Sequence, residues 1–372
     1  MQAGSNLIAA ASVRPPLSAR APCLLPMGPL VLLLLSALAS SAIASSLHRF
    51  EFNSPHMGTL FSITLYAKDR EMATAAAQAA FRRVADLDRI MTDYREDSEL
   101  MRLCAQPPGK PVRVSEDLFD VLERARKTSA TTDGAFDITV GPFVRLWREA
   151  RKSKTLPSPE AIATAQRSAG WRNVRLDRRR RTVILLLPNM RLDLGGIAKG
   201  YAADEALKTL KRLGVPRALV AASGDIAIGD PPPEKRGWTI GLTEIDDHSN
   251  KTSRSVVLHH AGVSTSGDTE QALEIEGRRY SHILNPETGL GLTNRIQVSV
   301  IAPDATTTDA LATALCVLGV ERSLRLVETL PHVSALVLIK VNGKEHALES
   351  SRFRRVHRDP DNEGHGAEMR AR

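Results

Sequence analysis

The feature that most restricts this chain is a switch of period early in its length. Residues 61–66 alternate apolar and polar, as a half-buried strand does. From residue 71 to 91 the apolar positions move to helical spacing, with Ala73, Ala77, Ala80, Phe81, Val84, Leu87 and Met91 on one face. A second helix is expected from the N-cap Ser115, followed by Glu116 and Asp117, to about Thr131. A third is expected over 157–170. Short strands over 174–176 and 183–187 flank the run Arg178 to Arg181, which reads as a solvated hairpin tip. A helix after Asp193-Leu194-Gly195-Gly196 is expected to end near Gly214. Beyond it strands dominate (218–222, 238–242, 255–258, 280–284, 297–301), before helices at 306–318 and 321–328 and a strand at 335–339. Helices and mostly antiparallel strands mix without a βαβ rhythm, so a single α+β domain over about 45–352 is the simplest account.

Residues 1–44 contain no acid and two arginines, Arg14 and Arg20, followed by an apolar run from Leu30 to Ala39 that is too short to span a bilayer comfortably. The run ends in Ser41-Ala42-Ile43-Ala44, a signal-peptidase pattern, so the chain is expected to be exported and processed. The polar stretch 353–372 is expected to be disordered. Cys104 and Cys316, far apart and both in apolar surroundings, are expected to be buried free thiols. The formal charge is +8, with no single basic face visible, and Arg14 and Arg20 account for two of those units. The 8 Phe, 3 Trp and 4 Tyr are only 4% of the chain, too few for the stacking platforms of a single-strand nucleic-acid binder.

P-loop, Rossmann and zinc signatures are absent. Four Gly- and Asp-rich segments remain. In Thr132 to Pro142, Asp133 and Asp137 flank a Gly turn and Phe136; the plain reading is a helix end and its turn. In Asp193 to Tyr201, Gly195-Gly196 lets backbone approach a ligand, and a helix start with Lys199 in its first turn suits an anion. In Ser264 to Asp268 and Tyr280 to Gly289, hydroxyls, the Asp268 carboxylate and the His282 imidazole could supply a proton acceptor, or simply cap two turns. In Thr306 to Leu315, Asp309 and Thr313 stand at i and i+4, placing two hard oxygens on one helix face, a set Mg²⁺ favours. The alternative is N-capping with Thr313 bonded back to its own helix.

In their order and spacing these segments resemble the ApbE family, the FAD:protein FMN transferases. The resemblance runs through His56-Met57-Gly58-Thr59, residues 94–100, 133–147, 193–204, 265–268, His282 to Gly289 and 309–319. It implies a T-fold-like α+β domain in a periplasmic enzyme near the inner membrane. Such an enzyme would bind FAD and Mg²⁺, transfer FMN to a Thr or Ser hydroxyl of another protein, and release AMP. Carried over position by position, Met57, Tyr94, Ala135, Phe136, Asp137, Asp193, Lys199 and Ile283 would line the FAD site, and the carbonyl of Gly196 with Asp309 and Thr313 would hold the metal. His282 and Asp268 are the candidates to orient or deprotonate the acceptor hydroxyl.

The resemblance also implies acceptors among flavoprotein subunits of membrane respiratory complexes, of the NADH:quinone oxidoreductase or related electron-transfer type, and no nucleic-acid partner. Six rings, Tyr94, Phe136, Phe143, Trp147, Tyr201 and Tyr280, fall in or beside these motifs, pointing to aromatics gathered near a flavin. Three positions depart from the family pattern: Ala312 where some members carry an acid, Asn285 where Asp is usual, and Ser223-Gly224-Asp225 in place of Gly-Gly-Asp. The first would thin the metal shell to one side-chain carboxylate. The competing functions are an FAD pyrophosphatase using water in place of the protein hydroxyl, and a non-catalytic flavin binder.

Overall fold

The computed structural model describes residues 46–243, 245, 252–267 and 272–357; the leader expected over 1–44, the candidate base Asp268 and the end of the chain after residue 357 lie outside them. The described elements are, in order, β1 (His48–His56), β2 (Thr59–Ala67), α1 (Arg70–Met91), α2 (Glu99–Cys104), β3 (Val112–Arg113), α3 (Glu116–Thr131), α4 (Gly141–Ser153), α5 (Pro159–Gln166), β4 (Val174–Asp177), β5 (Thr182–Leu185), α6 (Ala198–Arg212), β6 (Ala218–Ala222) and β7 (Asp225–Ile228). There follow β8 (Trp238–Thr243), β9 (Thr252–Leu258), β10 (Ala261–Gly267), β11 (Leu273–Ile275), β12 (Arg278–Tyr280), β13 (Ile296–Ala302), α7 (Ala305–Leu318), α8 (Val320–Thr329), β14 (Ser334–Val341), β15 (Lys344–Glu349) and α9 (Ser351–His357).

An eight-stranded sheet in the order β1-β2-β6-β7-β10-β13-β14-β15 forms the frame, and every strand pair among the described residues is antiparallel. This is the expected α+β class. On β2 the alternation works as read: Phe61, Ile63, Leu65 and Ala67 point inward and join α1, α3 and α6 in the largest apolar cluster. β13 is buried along its whole length because both of its faces are covered. Val298 and Val300 meet α7 and α8 on one side. Ile301 on the other meets the β8–β9 hairpin and Phe353.

The caps explain why the helices begin where they do. Ser115 accepts the amide of Leu118 at the start of α3, as expected, and Asp69 and Ser98 cap α1 and α2 in the same way. The tip Arg178 to Arg181 is the turn of the β4–β5 hairpin, with Arg178 and Arg181 paired to Glu123 and Glu116 on α3. Neither Cys104 nor Cys316 is in a disulfide; Cys316 is buried, and burial pushes the Cys104 thiol, which accepts the Leu192 amide, up to about 11.

Three expectations need correction. The first is an omission: no element is expected over 141–153, yet the helix α4 lies there, with Pro142 in its first turn and Phe143, Trp147 and Ala150 on its buried face. The strand expected over 280–284 stops at Tyr280. Pro286 has no N–H to give a ladder, and Asn285 turns the chain by accepting the Glu287 amide and, through its carbonyl, the Gly289 amide; one bridge, Leu284 to Gly291, remains.

The third correction concerns the carboxyl-terminal boundary. The domain does not end at 352, because α9 runs through that position and buries Phe353 completely against Trp238, Leu336 and Leu338. Phe353→Ala should therefore cost about 3 to 5 kcal/mol in equilibrium urea unfolding, as removal of a fully packed ring does. A loss below about 1 kcal/mol would mean that α9 is not part of the core.

Candidate functional site

The site is built where the start of α6 meets the flank of α7. Gly200 sets the distance: a Cβ there would lie 2.2 Å from the Ala305 carbonyl oxygen and 2.9 Å from Asp309 Cβ, so only glycine lets the helices approach. Its amide donates to Asp309 Oδ2 at 3.0 Å. One turn along α6, Asp204 accepts the amides of Ala305 and Thr306 at 3.0 and 2.9 Å, and Asp304 accepts that of Thr307. The start of α7 is thus capped partly by α6. Its N-cap is Asp304, and Thr313 is not bonded back to its own helix but lies 3.5 Å from Ser266 Oγ on β10.

Lys199 stands between two buried carboxylates. Its Nζ is 3.0 Å from Asp225 Oδ2, 3.6 Å from Asp309 Oδ1 and 3.0 Å from the Gly195 carbonyl, to which it donates. Asp309 is 2% exposed and Asp225 4%. Burial, reinforced by the Asp225 charge, pushes the Asp309 carboxyl up to about 7 even with Lys199 beside it. Burial works against the Lys199 charge too, but Asp225 and Asp309 outweigh it and hold the ammonium well above the ordinary lysine range. When both carboxylates are ionised they outnumber the one ammonium and leave a surplus negative charge in a desolvated place.

Asp225 was not among the residues singled out for the site. The signal was the Ser223-Gly224-Asp225 tripeptide, which forms the tight β6–β7 turn: Ser223 takes φ +57°, a conformation glycine accepts freely, and Asp225 is delivered as the first residue of β7. Ala312 is fully buried in the apolar cluster with Val298 and Leu315, and the second buried carboxylate of the cluster, Asp225, pairs with Lys199. Asn285 accepts a backbone amide, a task its side-chain oxygen performs as an Asp would.

Gly196 faces Thr313: a Cβ there would come within 3.2 Å of Thr313 Oγ1 and 3.3 Å of the Phe136 ring. Gly196, Asp309, Thr313 and Lys199 are therefore brought together. Asp193 is tied in through Gly195, whose amide it accepts at 2.8 Å, and burial raises its carboxyl, with nearby Asp93 adding to the effect. Its other oxygen is 3.8 Å from Arg148 on α4. Arg148 also pairs with Asp93 and lies 4.2 Å from the Tyr94 ring centroid, so one face of that ring is covered by a guanidinium while Tyr94 as a whole is 79% exposed.

Other candidates do different work. Asp137 spends one oxygen on the amide and hydroxyl of Thr139 and the other on the Trp171 amide, so it pins the loop that carries Ala135 and Phe136. Met57 holds φ +49° in the β1–β2 turn and donates its amide to Asp88; none of its hydrogen bonds reaches Lys199. Ile283 is packed with Leu311 and Ala312. The gathering of aromatics near one site is not what the structure has. Phe143, Trp147 and Tyr280 form a separate cluster under α4 and α5, and Tyr201 donates to Asp117; of the six rings only Tyr94 is open to solvent.

His282 stands on the loop after β12, its ring free of hydrogen bonds to any described residue. His282 is exposed, and the desolvation that neighbouring residues impose on it, with the positive charges of Arg151 and Lys199 added, shifts its pKa below the ordinary histidine value, so the imidazole is neutral near pH 7 and able to accept a proton. Its loop is fastened to α4 by the Trp147 indole, which donates to the Gly289 carbonyl at 2.8 Å.

Residues 57–337 match the model of the ApbE family. An FAD:protein FMN transferase of Treponema pallidum is 33% identical over 297 residues, covering 76% of this chain and 82% of that protein. One from Klebsiella pneumoniae is 31% identical over 276 residues, covering 73% and 79%. Among solved structures, the flavin transferase ApbE from Vibrio cholerae aligns with a TM-score of 0.75 at 27% identity, over 83% of this chain and 99% of that one. The ApbE protein of Thermotoga maritima aligns with a TM-score of 0.74 at 30% identity, over 84% and 100%.

Gly200→Ala should destabilise the fold by about 1 to 3 kcal/mol in urea unfolding, because the added methyl must push backbone away from backbone. An unchanged midpoint would contradict the close approach of α6 and α7.

Proposed function

The chain belongs to the ApbE family, and from that membership we propose that it is an FAD:protein FMN transferase acting with Mg²⁺ on a Ser or Thr hydroxyl of an exported or membrane flavoprotein subunit. In the reaction the hydroxyl oxygen bonds to the phosphorus that carries riboflavin, the P–O bond to AMP breaks, and AMP leaves with the bridging oxygen. The hydroxyl proton passes to a base on the enzyme. The observation that carries this reading is Lys199 held between the buried Asp225 and Asp309 at the start of α6.

The donor set fits a hard divalent cation. Asp309 and the Thr313 hydroxyl share a face of α7, the Gly196 backbone faces Thr313 with no side chain between, and the charge surplus of the cluster is negative. Asp309, Thr313 and the Gly196 carbonyl would hold Mg²⁺, and when bound the ion would offset charge on the pyrophosphate. Lys199, already within reach of both carboxylates, supplies a point charge to the same phosphates. The α6 amino-terminus adds the partial positive charge of its amides. Tyr94 offers one open ring face to a flavin or adenine. His282, neutral and unbonded, takes the proton from the acceptor hydroxyl; Asp268 is the other candidate for that role. The leader over 1–44 supports export to the periplasm, where membrane respiratory complexes present such subunits.

Incubation of the mature chain with FAD, MgCl₂ and an exported acceptor domain tests the reading. It predicts AMP by chromatography and an FMN adduct on the acceptor by mass. AMP without adduct would mean hydrolysis, and neither product would remove both enzymatic readings. Asp309→Ala should abolish turnover and weaken Mg²⁺ binding measured by titration calorimetry; full activity at low Mg²⁺ would refute its role as ligand.

The pH profile is a separate check. Because the His282 pKa is lowered, the base form persists below the ordinary histidine pKa of about 6.5, and kcat/KM should fall only at pH values more acid than that. His282→Gln should lose most activity and this acid limb with it; an acid limb near 6.5 in the wild type would contradict the assignment.

A further inference from the structure

Beside the site, a groove of about 1040 Å³ runs between α4 and α5, with Tyr94, Asn189 and Arg191 on its rim. Its lining carries Arg145, Arg148, Arg151, Lys152 and Arg191 against Glu149 and Glu160. Several of these charges are already answered. Lys152 pairs with Glu149, Arg148 with Asp93, and Arg191 with Glu96; Glu160, in the first turn of α5, is engaged with the Ser158 hydroxyl. Arg145 and Arg151 are exposed and have no ion-pair partner among the described residues. The floor is firm, since the inward face of α4, Phe143, Trp147 and Ala150, is packed against α5 and the β11–β12 hairpin.

Two contacts join this groove to the chemistry. Arg148 reaches Asp193 at 3.8 Å and covers Tyr94, and Trp147 on α4 holds the loop that carries His282 by donating to its Gly289 carbonyl. A chain lying along the groove would therefore pass the proposed base. We propose that the groove is the docking surface for the acceptor protein, and that it selects a segment bearing carboxylates beside the reactive hydroxyl, with Arg145 and Arg151 as its cationic anchors. The inference rests on the transferase reading. Exposed arginines in a concave, partly desolvated groove attract an acidic segment over roughly the 8 Å of a physiological Debye length, which raises the rate of productive encounter and rejects basic partners.

The test uses the mature chain and two fluorescein-labelled peptides with one central Thr, identical except that the flanks are Asp in one and Lys in the other. Fluorescence anisotropy should show the Asp peptide binding about tenfold more tightly at low salt, with the difference shrinking as salt rises. Arg145→Glu should reverse the preference, Arg145→Gln should abolish it, and the affinity for FAD, read from flavin fluorescence, should stay unchanged in both. Equal binding of the two peptides, or no effect of Arg145→Glu, would overturn the proposal. So would a loss of FAD affinity, which would assign the groove to the dinucleotide. FMN transfer is read separately by mass: binding of the Asp peptide without an adduct would strike at the transferase reading and leave the groove's selectivity standing.

Discussion

Everything in the site depends on one close approach, the backbone of Gly200 against the Ala305 carbonyl and Asp309. With no side chain in the way, the α6 amide reaches the Asp309 carboxylate, and Asp204 on the next turn caps α7. Two helices from distant parts of the chain are thereby fixed in register as well as in distance. The register is what counts. It puts Gly196 opposite Thr313 and Lys199 opposite Asp309, the start of one helix contributing backbone and a cation, the other a carboxylate and a hydroxyl. Gly262 on β10 meets the start of α7 with the same lack of clearance, so the sheet holds the pair from behind.

Charge then decides what such a place can accept. Desolvation of Asp309 prevails over the attraction of Lys199, as its raised pKa records, because a single ammonium shared between two buried carboxylates cannot compensate both. Holding ionised groups out of water costs on the order of several kcal/mol for each, which makes the cluster expensive to keep unless something binds there. A divalent cation together with a pyrophosphate answers the imbalance from both sides: the cation meets the carboxylates, and the phosphates meet Lys199 and the helix start. A neutral ligand would leave it in place.

Much of this was legible in the sequence. Period changes located β2, α1 and α3, the Ser115 cap located a helix start to the residue, and the i, i+4 spacing of Asp309 and Thr313 placed both on one face of α7. What was not legible depends on tertiary contact. Asp225 looks like an ordinary turn residue until β7 brings it to Lys199. Asp137 looks like a ligand until Thr139 and Trp171 use its oxygens. Phe353 lies in a stretch whose composition reads as a tail, and its burial comes from strands much earlier in the chain, β8 and β9 among them, as well as from neighbours on β14. The helix α4 was hidden by its charges, since Arg145, Arg148, Glu149 and Arg151 are four of the seven residues from 145 to 151, and those same residues line the groove.

The most direct measurement of the account is anomalous diffraction from crystals of the mature chain soaked with FAD and Mn²⁺ as a stand-in for Mg²⁺. The predicted result is a manganese peak within coordinating distance of Asp309, Thr313 and the Gly196 carbonyl, with the Lys199 ammonium turned toward phosphate oxygens. A peak elsewhere in the protein, or none with FAD bound, would contradict the claim that the junction of α6 and α7 is where the metal and the pyrophosphate meet.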